Sequence, residues 1–354
     1  MPSPKLRPYW TGLISPAGEF SRHPKASRVY RGPGWEIRFV PYRPKYPGIS
    51  VRAQRKASAY AGATHELRIF ARSLTQATYV ATLLYSARSL LEGLPVERIL
   101  AGWEPYQAVP LDKREMESLS PDYREALRAH RTQFCIETDG FLDAAQITST
   151  LARRRPLRNA ALKFLLSGHL IGVHHLDLRP GARDTHAFRS PNPIDWVWFS
   201  QSIFAAYGVI EELRLTPRAT SSKPSLLPNG SWNPPVRSDL EQRLGKIGIT
   251  PRDTLYWCAR GRPRQLEKKA LRRITTSKPA RCARGEVQDA EILFIDAINV
   301  ASYLRSNVTA HVGDVAGLTA IDVANVQQLA RLLLLHAVRF HFWRRLDIGC
   351  QHAA

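Results

Sequence analysis

Arg305 stands six positions ahead of His311, with Asn307 between them. These residue types can cut RNA without a metal ion. A histidine titrates near neutrality, so it can take the proton of a ribose 2′-hydroxyl or give one to the leaving oxygen. An arginine grips phosphate oxygens and offsets the charge that builds on the phosphorane. An asparagine adds a neutral polar contact. The same residues also have a plain structural use, with His311 near the last carbonyls of a helix and Arg305 exposed.

Spacing alone does not choose between these uses. Arg124/His130, Arg179/His186, Arg331/His336 and Arg345/His352 are spaced in much the same way. Six residues of straight helix turn through roughly 240°, so one helix cannot put both side chains on a common face. They meet only if the helix ends between them or if two protomers contribute. Gly313 is placed where a C-terminal cap belongs. Arg331/His336 falls inside an apolar helical run and suits a structural or snorkelling pair.

The flanking elements are helical in pattern. VQDAEILFIDAINVASYLR reads as a helix before the motif. TAIDVANVQQLARLLLLHAVRFHF reads as the helix after it, opened by Thr319 and Asp322 at capping-box spacing. Upstream, Asn192 and Pro193 start a helix whose apolar face runs from Trp196 to Leu213 and which carries Glu211 and Glu212 near its end. SDLEQRLGKIGI is a short helix with Ser238 as its expected cap. A helix pair breaks at Pro156.

LRSNVTAHVG before a long final helix, after the helix bearing Glu211, resembles the HEPN family (higher eukaryotes and prokaryotes nucleotide-binding). The resemblance covers roughly residues 190–345, with 217–285 as an insertion or variant. It implies an all-α domain, commonly a homodimer, and in many members a metal-independent ribonuclease serving as a toxin or in antiviral defence. The family signature is an arginine, four to six residues, then a histidine, often with a polar residue directly after the arginine. Ser306 holds that position here, and Asn307 comes one later. The resemblance implies Arg305 and His311 as catalytic residues, Asn307 as polar helper and Glu211 in support.

The N-terminal part reads differently. WEIRFVPY, ISVRAQ and THELRIFA alternate as strands, and SLTQATYVATLLYSARSLLEG is an amphipathic helix. The expected fold class is therefore α+β: a small basic α+β domain over about residues 1–100, a linker over 101–135, and a mainly helical HEPN-like domain over 136–350.

Charge points to the partner. The chain of 354 residues has 51 Lys+Arg against 30 Asp+Glu, a net charge of +21. Such an excess fits a polyanion, with nucleic acid as the usual partner and an anionic membrane surface as the less usual one, unless an arginine-rich proteome accounts for it. The family resemblance makes RNA the expected nucleic acid, with DNA as the alternative. Residues 1–60 hold twelve Lys or Arg against two acids, interleaved with aromatic residues. Trp35 and Phe39 are expected in the core of the small sheet, which leaves the arginines as candidate nucleic-acid contacts. A second basic run gives Arg260, Arg262, Arg264, Lys268, Lys269, Arg272 and Arg273 as nucleic-acid-binding candidates. Its Arg-Gly-Arg-Pro resembles the core of an AT-hook, although a basic loop explains it as well.

Four scattered cysteines without a CxxC pair give no zinc module, and His169, His174, His175 and Asp177 lack helical ligand spacing. No metal or cofactor is expected. The start has no apolar h-region, and the most apolar run is short and charged, so a cytoplasmic protein with no membrane partner is expected. The competing function is a non-catalytic nucleic-acid-binding or scaffold protein, in which the basic runs bind and Arg305 and His311 are structural.

Overall fold

A computed structural model describes residues 6–14, 28–41, 65–92, 108–125, 127, 135–136, 141–170, 193–258, 280–281, 287–308 and 318–340. The chain divides into two compact units, with the main boundary at Arg155/Pro156. The fold is mixed, with helices and an N-terminal antiparallel sheet, as the sequence pattern predicts.

The N-terminal unit is built on strands β1 (Arg7–Ile14), β2 (Arg28–Gly32), β3 (Trp35–Pro41), β4 (His65–Ala71), β5 (Val109–Pro110) and β6 (Cys135–Ile136). Their order is β2-β3-β4-β1-β5, and β6 pairs with β1 in parallel. Alternation along β3 sends Trp35, Ile37 and Phe39 to one face and Glu36 and Arg38 to the other. Tyr9, Ile37 and Ile69 lie in one cross-strand row of the inner face. Trp35 and Phe39 are buried there, as expected from sequence.

Helix α1 (Leu74–Glu92) packs against β4 and β1, and α3 (Phe141–Leu151) packs against α1 and β2. With apolar neighbours on two sides, α1 buries Val80, Leu83, Leu84, Ala87 and Leu90, more than a single stripe. The span Phe141–Leu151, assigned from sequence to the helical half, thus belongs to the N-terminal unit. So does the stretch read as a linker. Its short helix α2 (Lys113–Glu117) is capped by Asp112, which accepts from the amides of Arg114 and Glu115. Leu111, Met116, Leu119 and Tyr123 cover Trp10, Val109 and Leu127. The Tyr9 hydroxyl donates to Glu115 at 2.7 Å and fastens α2 to β1. Burial, and then that carboxylate, push the phenol pKa well up.

The C-terminal unit has helices α4 (Arg155–Leu170), α5 (Pro193–Glu212), α6 (Pro234–Gly245), α7 (Phe294–Tyr303) and α8 (Ala320–Ala337). It also has a three-stranded antiparallel sheet of β7 (Thr254–Cys258), β8 (Ala280–Arg281) and β9 (Val287–Leu293), in the order β7-β9-β8. Residues 287–293, read as helix from sequence, are therefore strand; pairing with β7 overrides a helix-compatible spacing of apolar residues. The α6 helix begins at Pro234 after Asn233, so Ser238 is not its cap and Glu241 accepts from Arg237 instead. The capping box of Thr319 and Asp322 is present on α8.

A buried polar knot ties three helices together. Ser167 of α4 and Ser202 of α5 each donate to the other's carbonyl, at 2.8 and 2.9 Å. The Gln327 amide of α8 donates to both hydroxyls, at 2.9 and 3.1 Å. Lys163 of α4 meets Glu212 of α5 at 2.9 Å, so the contacts step in opposite senses along the two helices and α4 and α5 run antiparallel. Such a knot fixes register, because a slip would strand buried hydroxyls without partners. No helix among the described residues is long and apolar enough to cross a membrane.

Candidate functional site

β9 runs directly into α7, with Leu293 at the helix N-cap. The indole of Trp232 donates to Asp296 at 2.7 Å, and Ser225 donates to Asn299 at 3.3 Å, so the 213–233 connection is fastened along α7. After Tyr303 the helix widens into a π-helical turn, Leu304–Val308. A π turn interrupts the regular angular step of the α-helix and often accompanies a functional site. Leu304 is fully buried and anchors the turn, while Arg305 beside it is 40% exposed.

The turn packs on α5, which presents Phe204, Tyr207 and Glu211 at helical spacing to the Arg305 guanidinium. Arg305 Nη2 is 3.5 Å from Glu211 Oε1. Its Cζ lies 5.5 Å from the Phe204 ring centroid and 6.0 Å from that of Tyr207. The arginine is thus held by one carboxylate and two aromatic rings, and part of its surface stays in contact with solvent. The Tyr207 hydroxyl is hydrogen-bonded to Ser302. Burial raises the Tyr207 pKa; the Ser302 hydrogen bond opposes this, Glu211 adds to it and Arg305 counters it. At neutral pH Tyr207 is a neutral phenol, able to support the guanidinium without competing for its charge.

Of the four residues predicted as catalytic, the structure brings together Arg305 and Glu211. His311 and the Asn307 side chain lie outside the described residues. So do the nucleic-acid-binding candidates Arg260, Arg262, Arg264, Lys268, Lys269, Arg272 and Arg273, together with the Arg-Gly-Arg-Pro segment. Phe204 and Ser302 were not singled out from sequence. Their signal was available only once Glu211 was known to face Arg305, since Phe204, Tyr207 and Glu211 follow an i, i+3, i+7 pattern.

The remaining histidines described have structural surroundings. His336 on α8 stacks edge-on to Phe294, at 6.0 Å between centroids. Burial lowers its pKa, opposed by Asp253 and by a hydrogen bond to the backbone of Ile247. Arg331 of the same helix is pushed down to about 10 by burial and donates to Gln328 at 3.4 Å. His169 lies in the last turn of α4, its pKa lowered by burial, while His174, His175 and Asp177 are outside the described residues. Among the described residues no cluster of His, Cys, Asp and Glu is arranged to hold a metal.

Compared with known proteins, the chain matches no family model, no curated protein and no solved structure.

Proposed function

We propose that this protein is an RNA-binding endoribonuclease whose chemistry needs no metal ion, with Arg305 and His311 at its centre. The observation that carries the reading is the setting of Arg305: a partly exposed guanidinium at a π-helical turn, oriented by Glu211 and two aromatic rings, a short step before a histidine. In the reaction, the 2′-oxygen loses its proton to His311 and attacks the adjacent phosphorus. The bond from phosphorus to the 5′-oxygen breaks, and that oxygen takes up a proton. The products are a 2′,3′-cyclic phosphate and a 5′-hydroxyl. Arg305 binds the non-bridging oxygens as the phosphorane gains charge. Glu211 fixes the direction of the guanidinium, and Asn307 adds a polar contact.

A catalytic pair built this way is readily completed by a second copy of the chain. Ile194, Val197 and Trp198 leave 51%, 50% and 43% of their surface exposed on one stripe of α5. Contiguous apolar side chains of this kind suit a symmetric contact. Trp198→Glu is expected to shift the chain to a monomer in sedimentation velocity; an unchanged sedimentation coefficient would remove this stripe from the interface. A role as a toxin or in defence against phage is part of the proposal and follows from the family resemblance.

The direct test is cleavage of labelled RNA in EDTA. Arg305→Ala is expected to slow it about a hundredfold, the size of effect seen when one oxyanion-stabilising donor is removed. Glu211→Gln should slow it less, because the aromatic support remains. Equal cleavage by wild type and Arg305→Ala would return Arg305 to a structural role and favour a non-catalytic nucleic-acid-binding protein.

A further inference from the structure

The outward face of the N-terminal sheet carries a row of arginines that catalysis in the other unit does not use. Cross-strand register places Arg38 of β3 directly opposite Arg68 of β4, and Arg31 of β2 directly opposite Glu36 of β3. Like charges opposite one another in a sheet are destabilising, so the pair calls for anions. Each arginine has one on its own strand. Arg38 donates to Glu36 at 2.8 Å from Nε and 2.5 Å from Nη2, and Arg68 Nε donates to Glu66 at 2.6 Å. Arg31 donates to the other oxygen of Glu36 at 3.0 Å, so one carboxylate serves two guanidinium groups.

The geometry of Arg38 is the informative part. Its Cζ lies 4.1 Å from the centroid of the Phe70 ring, so the guanidinium rests on an aromatic face. Glu36 takes one edge of the fork and Phe70 takes one side of the plane. What remains is the opposite side of a planar cation whose orientation is already fixed. Arg72, at the end of β4, is exposed and lies over the β2–β3 turn. Gly34 there has φ +74°, and a Cβ on it would come within 3.2 Å of the Arg72 guanidinium. Arg31 keeps 75% of its side-chain surface exposed, and Arg38 keeps 40%. The half of the same face nearer β5 is closed by the 108–127 segment over Trp10, which leaves the arginine half as the open part.

We infer that the open half of this face, centred on Arg38, docks single-stranded RNA. An unpaired base stacks on the outer side of the Arg38 guanidinium, and the flanking phosphates meet Arg31, Arg68 and Arg72. Stacking on a guanidinium plane is open to any base but requires the base to be unpaired, so the surface selects single strands without reading sequence. Charge complementarity favours a polyanion, since four arginines face only two glutamates. The choice of RNA over DNA rests on the cleavage reading above; the single-stranded, anionic character of the ligand does not.

The experiment uses the full chain and a fluorescent single-stranded 2′-O-methyl RNA, which cannot be cut, with binding followed by anisotropy across salt concentrations. The double variant Arg38→Ala/Arg68→Ala is expected to bind about tenfold more weakly or worse, through the lost stacking platform of Arg38, with a salt slope smaller by ~0.7 for the lost phosphate contact of Arg68. Arg38→Lys keeps the charge but not the plane, and should lose about as much affinity as Arg38→Ala. Arg31→Ala, at a highly exposed site where unfolding is not a concern, should reduce the slope by ~0.7. Unchanged affinity and slope in these variants overturns the inference, as does equal binding of an RNA duplex or polyglutamate. Because the probe cannot be cut, binding that depends on these arginines in a chain that cleaves nothing supports this surface and counts against the catalytic reading. Cleavage with no such dependence does the reverse.

Discussion

On the proposed mechanism, His311→Ala is expected to lower the rate of RNA cleavage in EDTA about a thousandfold, with RNA binding retained. The effect is larger than that of Arg305→Ala because the two losses differ in kind. Without the guanidinium, water and neighbouring polar groups still solvate the phosphorane. Without the imidazole, the proposed reaction loses the group whose ordinary titration range suits it to take the 2′-proton at neutral pH. Binding should be retained because a chain of net charge +21 keeps its electrostatic attraction for RNA, and an unchanged thermal transition of the variant separates the result from misfolding. The measurement is a single-turnover rate on labelled RNA, with binding of uncleavable RNA alongside. A variant that cleaves as fast as wild type would take His311 out of the mechanism.

Trp10→Ala is expected to destabilise the N-terminal unit by about 3–5 kcal/mol, the range for truncating a buried large aromatic residue. Trp10 is 1% exposed and holds two layers together. Its strand pairs with β4 and β5, and its ring carries Val109, Leu127, Leu111, Met116, Leu119 and Tyr123. Just beyond it a register shift lets the Thr11 hydroxyl donate to the Leu67 carbonyl at 3.0 Å, so the strand cannot slide to refill the space. Scanning calorimetry of the full chain should show the transition of this unit lowered on the order of 10 °C. Trp10→Phe, which keeps most of the volume, should cost far less. An unmoved transition in Trp10→Ala would mean that the 108–127 segment does not stabilise the sheet.

The elements legible in the sequence are those whose own pattern decides them. His65–Ala71 alternates, Leu74–Glu92 and Pro193–Glu212 carry apolar residues at helical steps, and Thr319 with Asp322 marks the start of α8. The elements missed depend on partners. Arg7–Ile14 contains Pro8 and Gly12, which punctuate a strand pattern, yet pairing with β4 and β5 makes it a central strand. Val287–Leu293 has apolar residues that fit a helix until β7 is beside it. Residues 101–135 look like a linker because their acids, bases and prolines are mixed, and among the described ones Leu111, Met116, Leu119 and Tyr123 find a shared target in the cluster of Trp10, Val109 and Leu127.

The site was legible to the same degree. Residue type and spacing offer Arg305 as one of several similar arginine–histidine pairs, its place between two helices favours it over the others, and Glu211 comes from the family resemblance. Their approach to 3.5 Å depends on α5 and the π turn packing together, which no local pattern encodes. The turn itself is also hidden, because LRSNV has ordinary helical residues. Phe204 looks like any apolar residue of α5 until the guanidinium is found beside it.

The most direct measurement of the central claim is the chemistry of the cut ends in EDTA, on an RNA that carries one 2′-deoxynucleotide at a position normally cleaved. Attack by the neighbouring 2′-oxygen predicts 2′,3′-cyclic phosphate and 5′-hydroxyl ends at every other site and no cut at the deoxy position. Cleavage persisting at the deoxy position, or 3′-hydroxyl and 5′-phosphate ends, would contradict it.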